Sequence, residues 1–254
     1  MTVLDLRDVP GFSPLIVDYA DDFDRLSSYY ARNPRLDGEY EALADLCGRR
    51  NYRRADLRAV LLAQQAAWEA PAAVRARVDD LCRPEGLAVC TGQQTGLFGG
   101  PLFTLYKALT AVAWAHRLEQ NLRRPVVPLF WMASEDHDIL EADHVDLADR
   151  SANLAQIRHT AWESPDGFMP ANLQLGPAIR DTLDRLRALL PATEFSDAVC
   201  GALASAYAPD RTLARAFAHW MTHLLGETGL VLVDAADPGL KRMAAGVFRR
   251  ELEE

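Results

Sequence analysis

Three short runs in the chain are apolar throughout: Leu87-Ala88-Val89-Cys90, Val126 to Met132, and Leu230-Val231-Leu232-Val233. Each has the length of a buried strand and ends in a polar, turn-forming cluster. After the first comes a Gly-rich stretch with Thr91, Gly92, Gln93, Gln94, Thr95, Gly96, Gly99 and Gly100; after the second, Ser134-Glu135-Asp136-His137-Asp138; after the third, Asp234-Ala235-Ala236-Asp237-Pro238. Between the first two runs, Leu102, Leu105, Leu109, Val112, Ala113 and Leu118 recur at helical spacing. They predict a helix from Pro101 to Asn121, opened by a proline whose missing N–H costs nothing there. Strand, Gly-rich turn, helix, strand is the βαβ unit of a parallel sheet.

The rest of the pattern is mainly helical. Residues 1 to 20 read as irregular or extended, with Leu15-Ile16-Val17 as a short edge strand. A first helix, capped by Asp21 or Asp22, is predicted through Tyr30, a second from Gly38 to Arg49, and a fourth from Ala72 to Cys82. The third, Arg54 to Trp68, carries one mostly apolar face of Leu57, Val60, Leu61, Gln64 and Ala67. The texture changes at Arg83-Pro84-Glu85-Gly86. Residues 1–83 are therefore expected to form an extended segment and helices packing on an α/β core at 84–254. Within that core a short helical or looped piece follows Asp138, then a strand from Leu154 to Ala161 and a turn at Pro165-Asp166-Gly167. Further helices are predicted for Ala178 to Leu190, Ser196 to Tyr207, a Thr212-capped stretch to Leu225, and Leu240 toward Glu254. That last helix suggests a longer protein that has been cut, or equally a natural frayed end. The expected fold is α/β, a parallel sheet with helices on both faces and a helical preface.

Composition narrows the functions. A net charge of -9 argues against a nucleic-acid groove or an anionic membrane as the main partner, while leaving room for a local basic pocket. The four cysteines, Cys47, Cys82, Cys90 and Cys200, form no CxxC pair and suit a reducing compartment. The N-terminus lacks a signal peptide's basic start and apolar core, and no stretch approaches the roughly 20 apolar residues of a membrane span. The expectation is a cytoplasmic protein that binds neither nucleic acid nor membrane.

The chemistry concentrates at two strand ends, the edge where open α/β sheets bind ligands. A glycine turn before a helix can cradle an anion on backbone N–H groups, with Gln93 and Gln94 adding amides and Lys107 a counter-charge. It matches neither GxGxxG nor a Walker loop, and a tight strand–helix turn would read the same way. In the second cluster, Glu135 or Asp136 could orient His137 or bind a substrate amine; acids in a helix's first turn are the plainer alternative. His137, Glu141 and His144 could face one way and bind a metal. Such spacing arises often by chance, so no metal is predicted from protein ligands. Asp234 and Asp237 could touch a sugar hydroxyl, although Asp237 before Pro238 equally suits a helix cap. Cys90 reads as small apolar filler, and His116, His159, His219 and His223 as surface or packing residues.

The run TGQQTGLFGGPLFTLYKA (91–108), followed by PVVPLFWMASEDHDILEADHV (125–145), resembles the bacillithiol biosynthesis enzyme BshC, the family of the cysteine-adding ligase. PLIVDY (14–19) and GLVLVDAADPGLKRMA (229–244) extend the likeness over essentially the whole chain, but over only about the first half of a family member. The family's long coiled-coil segment and C-terminal part have no counterpart here. The resemblance implies a Rossmann-like core related to class I synthetase folds, with helical insertions. It also implies the joining of cysteine to glucosaminyl malate by an amide bond, and a homodimer in the full-length form. A carboxylate must be activated before it acylates an amine, which brings in ATP/ADP as the expected nucleotide. The pocket carried over combines Asp136, His137 and Glu135 as catalytic candidates. Thr91, Gly92, Gln93, Gln94, Gly96, Gly100, Lys107, Asp138 and Asp234 are its substrate or nucleotide contacts. The competing readings are a nucleotide- or sugar-binding Rossmann-like domain without catalysis in this form, and a metal-dependent hydrolase through His137, Glu141 and His144.

Overall fold

The computed structural model describes residues 5–148, 153–163 and 169–253. The chain divides into two units, Met1–Asn51 and Tyr52–Glu254. In the first unit, α1 (Pro14–Asp21) starts at Ser13, whose hydroxyl caps the helix, with Pro14 in its first turn. Leu15-Ile16-Val17 is therefore helical, not an edge strand: Ser-Pro fixes a helix start more strongly than three apolar residues favour a strand. The helix expected from Asp21 to Tyr30 is only a 3-10 turn, Phe23–Leu26. Helix α2 (Asp37–Gly48) follows.

The second unit opens with α3 (Arg54–Ala67) and α4 (Ala72–Leu81). Strand β1 (Leu87–Gln94), helix α5 (Leu102–Leu122) and strand β2 (Val126–Ala133) complete the βαβ unit. Beyond them lie a short helix α6 (Ile139–Ala142) and an antiparallel hairpin of β3 (His144–Ala148) and β4 (Leu154–Arg158). Three helices follow, α7 (Ile179–Leu189), α8 (Ser196–Ala206) and α9 (Leu213–Leu225), then β5 (Val231–Asp234) and α10 (Pro238–Glu253). The turn expected at 165–167 lies outside the described residues.

The core sheet has the order β1-β2-β5 and is parallel throughout, with Leu87 opposite Val126 and Leu129 opposite Val231. Strands β2 and β5 are largely buried on both faces, as their unbroken apolar runs suggest, with Trp131 near the end of β2 exposed. On one face Phe130, Met132 and Leu232 pack against Ala108 and Val112 of α5 and Phe217 and Met221 of α9. On the other, Val127, Val231 and Val233 pack against Leu61 of α3, Val74 and Val78 of α4, and Leu240 of α10. A separate cluster, centred on Ile157, Ile179, Leu186, Leu203 and Tyr207, joins the hairpin to α7, α8 and α9.

Two departures shape the site. Strand β1 continues through Thr91-Gly92-Gln93-Gln94, which pair with Phe130 to Ala133, so the glutamines sit on a strand and the turn begins at Thr95. Pairing with a neighbouring strand holds polar residues extended where local composition reads as a turn. The short strand β3 was not foreseen in the acidic stretch after Glu141.

Candidate active site at the strand ends

The carboxyl ends of β1, β2 and β5 lie side by side and bring together segments about forty and one hundred residues apart. The Gln94 side-chain amide donates to Asp136 Oδ2 at 2.8 Å. Asp136 Oδ1 accepts the backbone N–H of Asp138 at 3.1 Å. The Asp138 N–H and then the Gln94 amide hold the Asp136 carboxyl below the usual aspartate range. One position back, Lys107 on α5 donates from Nζ to Gln93 Oε1 at 3.0 Å. Lys107 also lies 5.6 Å from the centre of the Phe103 ring. Glu135 forms an ion pair with Lys241 of α10. His137 and Asp138 are exposed beside them.

The β5 end is different in kind. The Ser134 hydroxyl donates to Asp234 Oδ1, and the Ala236 N–H reaches both Ser134 Oγ, at 3.1 Å, and Asp234 Oδ1, at 3.0 Å. Burial pushes the Asp234 carboxyl up, against the lowering effect of those donors. Its Oδ1 is engaged by the protein itself. Asp237 caps α10, accepting from Gly239 N at 2.6 Å and Leu240 N at 3.1 Å, as its position before Pro238 suggests.

The glycine loop is pinned from a distance. The Tyr207 hydroxyl accepts the Gly99 N–H at 2.9 Å and donates to the Gly96 carbonyl at 3.2 Å. Tyr207 is fully buried, and its ring meets Phe98 edge-on at 5.0 Å. Phe98 has φ 53° and Gly100 φ 72°, so the loop holds a non-glycine residue in the left-handed region at a cost the tyrosine helps bear. The N–H of Gly100 is bonded to Leu97 O at 2.9 Å. The Gly99 and Gly100 donors are thus used within the loop and by Tyr207, and the side chains of Gln93, Gln94 and Lys107 are polar groups at the same strand end. Gly92 has another duty: a Cβ there would meet Trp131 O at 2.6 Å, so glycine permits the close approach of β1 to β2. Thr91 and Lys107 line a cavity of about 370 Å³ between β1 and α5.

Tyr207 was not foreseen as a site residue, and no local pattern marks a tyrosine 108 residues from the loop it holds. Neither Ser134 nor Lys241 had been singled out; both become visible only when β2 and β5 are neighbours. The trio His137, Glu141 and His144 is divided between the loop before α6, α6 itself and β3. His144 Nδ1 lies 2.9 Å from Asp143 Oδ1. Among the described residues, no three His, Cys, Asp or Glu side chains are grouped to hold a metal, and no helix is long and apolar enough to cross a membrane.

Fold and rim together define an α/β protein of the Rossmann-like class, with polar side chains gathered past the carboxyl ends of a parallel sheet. The chain belongs to the bacillithiol biosynthesis BshC family: the family model "Bacillithiol biosynthesis BshC, N-terminal Rossmann-like domain" matches residues 1–254. Relatives bearing the name "Putative cysteine ligase BshC" include one from Salinibacter ruber, 33% identical over 96% of this chain and 44% of its own length. Those from Chlorobaculum tepidum and Chlorobium phaeobacteroides are 36% and 31% identical, over 96% and 98% of this chain and 44% and 46% of theirs. The chain spans less than half the length of these relatives.

Proposed function

We propose that this chain is the Rossmann-like part of a cysteine ligase of bacillithiol biosynthesis, which joins cysteine to glucosaminyl malate by an amide bond. The reading rests on the Gln94–Asp136 hydrogen bond, which unites the two segments that carry the family likeness at one rim of the sheet. A carboxylate resists attack by an amine at neutral pH, and ATP would supply its activation by transfer of a nucleotidyl or phosphoryl group. The Gln93 and Gln94 amides and the Lys107 ammonium are the donors that suit such an anion. In the joining step the glucosamine nitrogen bonds to the cysteine carbonyl carbon, the bond to the activating group breaks, and the nitrogen loses a proton. Asp136, held ionised, is a poor proton acceptor and a good anchor for an ammonium group. Exposed His137 is then the base, and Glu135, tied to Lys241, orients the rim.

The polar rim past the carboxyl ends of a parallel sheet also suits a second reading, a nucleotide- or sugar-binding domain without catalysis in this form. Calorimetry and product analysis with ATP, cysteine and glucosaminyl malate separate the two, using the full-length protein, Gln94→Ala and Asp136→Ala. The ligase reading expects an amide product that falls on the order of 100-fold in each variant. Absence of product with any activated donor removes it. Nucleotide binding without turnover, unchanged in His137→Ala, establishes the second.

A further inference from the structure

A second cavity, of about 520 Å³, lies between α9, the end of α8 and the turn that joins α3 to α4. Its charged and polar walls come from Glu69 in that turn, Arg211 just ahead of α9, and His219, His223 and Glu227 along and beyond α9. None of these residues belongs to the strand-end rim. Arg211 is held in place, since its Nη1 donates to the Ser205 carbonyl at 2.6 Å and the Ala206 carbonyl at 2.8 Å. Its charge is left unmatched. Among the described residues, no carboxylate forms an ion pair with Arg211, and no cation forms one with Glu69 or Glu227. The Nε2 atom of His219 is buried and has no hydrogen-bond partner. Burial, and after it the Arg211 charge, keeps that imidazole neutral, lowered to about 4. Opposite charges therefore line one cavity without neutralising each other.

Glu69 carries a local cost on two counts. Helix α3 closes with the Ala70 N–H bonded to Gln65 O at 2.9 Å, the pattern that puts the intervening residue in the left-handed region. That residue is Glu69, at φ 57°, where glycine would sit without strain. Its negative charge also lies past the C-terminal end of α3, where the helix dipole disfavours it. No cation among the described residues offsets either cost. A residue that breaks two local rules beside a cavity marks a contact made for a ligand. We propose that this cavity binds a small zwitterion of about dipeptide size, its ammonium held by Glu69 and Glu227 and its carboxylate by the remaining guanidinium N–H groups of Arg211. A dianion would meet the two glutamates and a diamine would meet the arginine, so the mixed lining selects against both. The volume falls within the range of about 300–1,000 Å³ usual for small-molecule sites, and Trp68 and Pro71 give the hydrocarbon part an apolar wall. The site does not depend on the ligase reading.

The test is a titration with L-alanyl-L-alanine, to on the order of 10 mM, while the His219 ring resonances are followed by NMR. The dipeptide is expected to shift them saturably. Its N-acetyl derivative and its C-terminal amide, each lacking one charge, are expected to bind at least about 10-fold more weakly. Glu69→Gln and Glu227→Gln should weaken the dipeptide by a similar factor. Glu69→Gly should lose binding and yet raise the urea midpoint, because glycine takes the left-handed conformation freely. A His219 signal that does not move overturns the proposal, as does equal binding of the three compounds or binding unchanged in Glu69→Gln. An unchanged or lowered midpoint in Glu69→Gly also overturns it, since Glu69 would then serve stability at that turn.

Discussion

The β5 side of the sheet is closed and the β1 side is open, although glutamine and aspartate occur at both. At β5, Gln64 and Gln65 cap the strand edge and Ser134, Asp234 and Ala236 satisfy one another. At β1, Gln93 and Gln94 reach only Lys107 and Asp136, with His137 exposed alongside. Glutamine and aspartate thus brace buried backbone on one side and form side-chain pairs at a more exposed rim on the other. Residue type does not separate these roles; burial does, since Gln64 and Gln65 are buried beneath β5 even though Gln64 Nε2 and Gln65 Oε1 have no partner of their own.

The contrast breaks most visibly at Gln65, fully buried beneath β5. Gln65→Ala removes the donor to the Leu232 carbonyl and leaves a cavity, so unfolding free energy should fall by about 2–4 kcal/mol in urea titrations. A loss below about 0.5 kcal/mol would mean that the β5 edge is not closed in the sense described.

The two rim carboxylates should also respond to pH in opposite senses. Asp136 is more acidic folded than unfolded, so its contribution is present above the ordinary aspartate value of 3.8 and disappears as pH falls through the lower folded value. Asp234 is less acidic folded than unfolded, so its contribution is greatest below 3.8 and declines as pH rises through the higher folded value. Stability differences between wild type and Asp136→Asn should therefore shrink on acidification, and those for Asp234→Asn should shift in favour of the variant as pH rises. Parallel profiles for the two variants would erase the distinction between the halves of the rim. Histidines 159 and 219, both held neutral by burial and His219 lowered to about 4, add an acid sensitivity common to all three proteins that cancels in the differences.

Much of this was legible in the chain, for identifiable reasons. The three apolar runs gave β1, β2 and β5 because short uninterrupted hydrophobic runs bounded by polar turn clusters suit strands of a parallel sheet, although Ala88 and Cys90 of β1 are exposed. The helical period of 102–118 fixed α5, and Thr212 fixed the start of α9, where its hydroxyl accepts the Arg215 N–H at 3.3 Å. The two polar clusters at the strand ends were visible as clusters. Their partners were not: Gln64 looked like one polar member of an apolar helix face, yet it bonds Asp234, 170 residues away. The same distance problem hid Tyr207. In the first unit the signal was present and overridden, since Ser13-Pro14 marks a helix start before Leu15-Ile16-Val17.

The smallest effect expected is also the sharpest probe of the open side. Proline lacks an N–H and is tolerated on a strand only where that group would face away from its neighbour. Cys90 is such a position, because Leu87 bonds toward β2 and the ladder alternates. Cys90→Pro should lower the stability of this chain by less than about 1 kcal/mol, the range of an exposed substitution with mild backbone strain. Val89→Pro, one residue away, deletes a donor to β2 and should cost more than Cys90→Pro in the same urea titration. If the two prolines prove equally damaging, the outward amides of β1 are already engaged and the edge is not open.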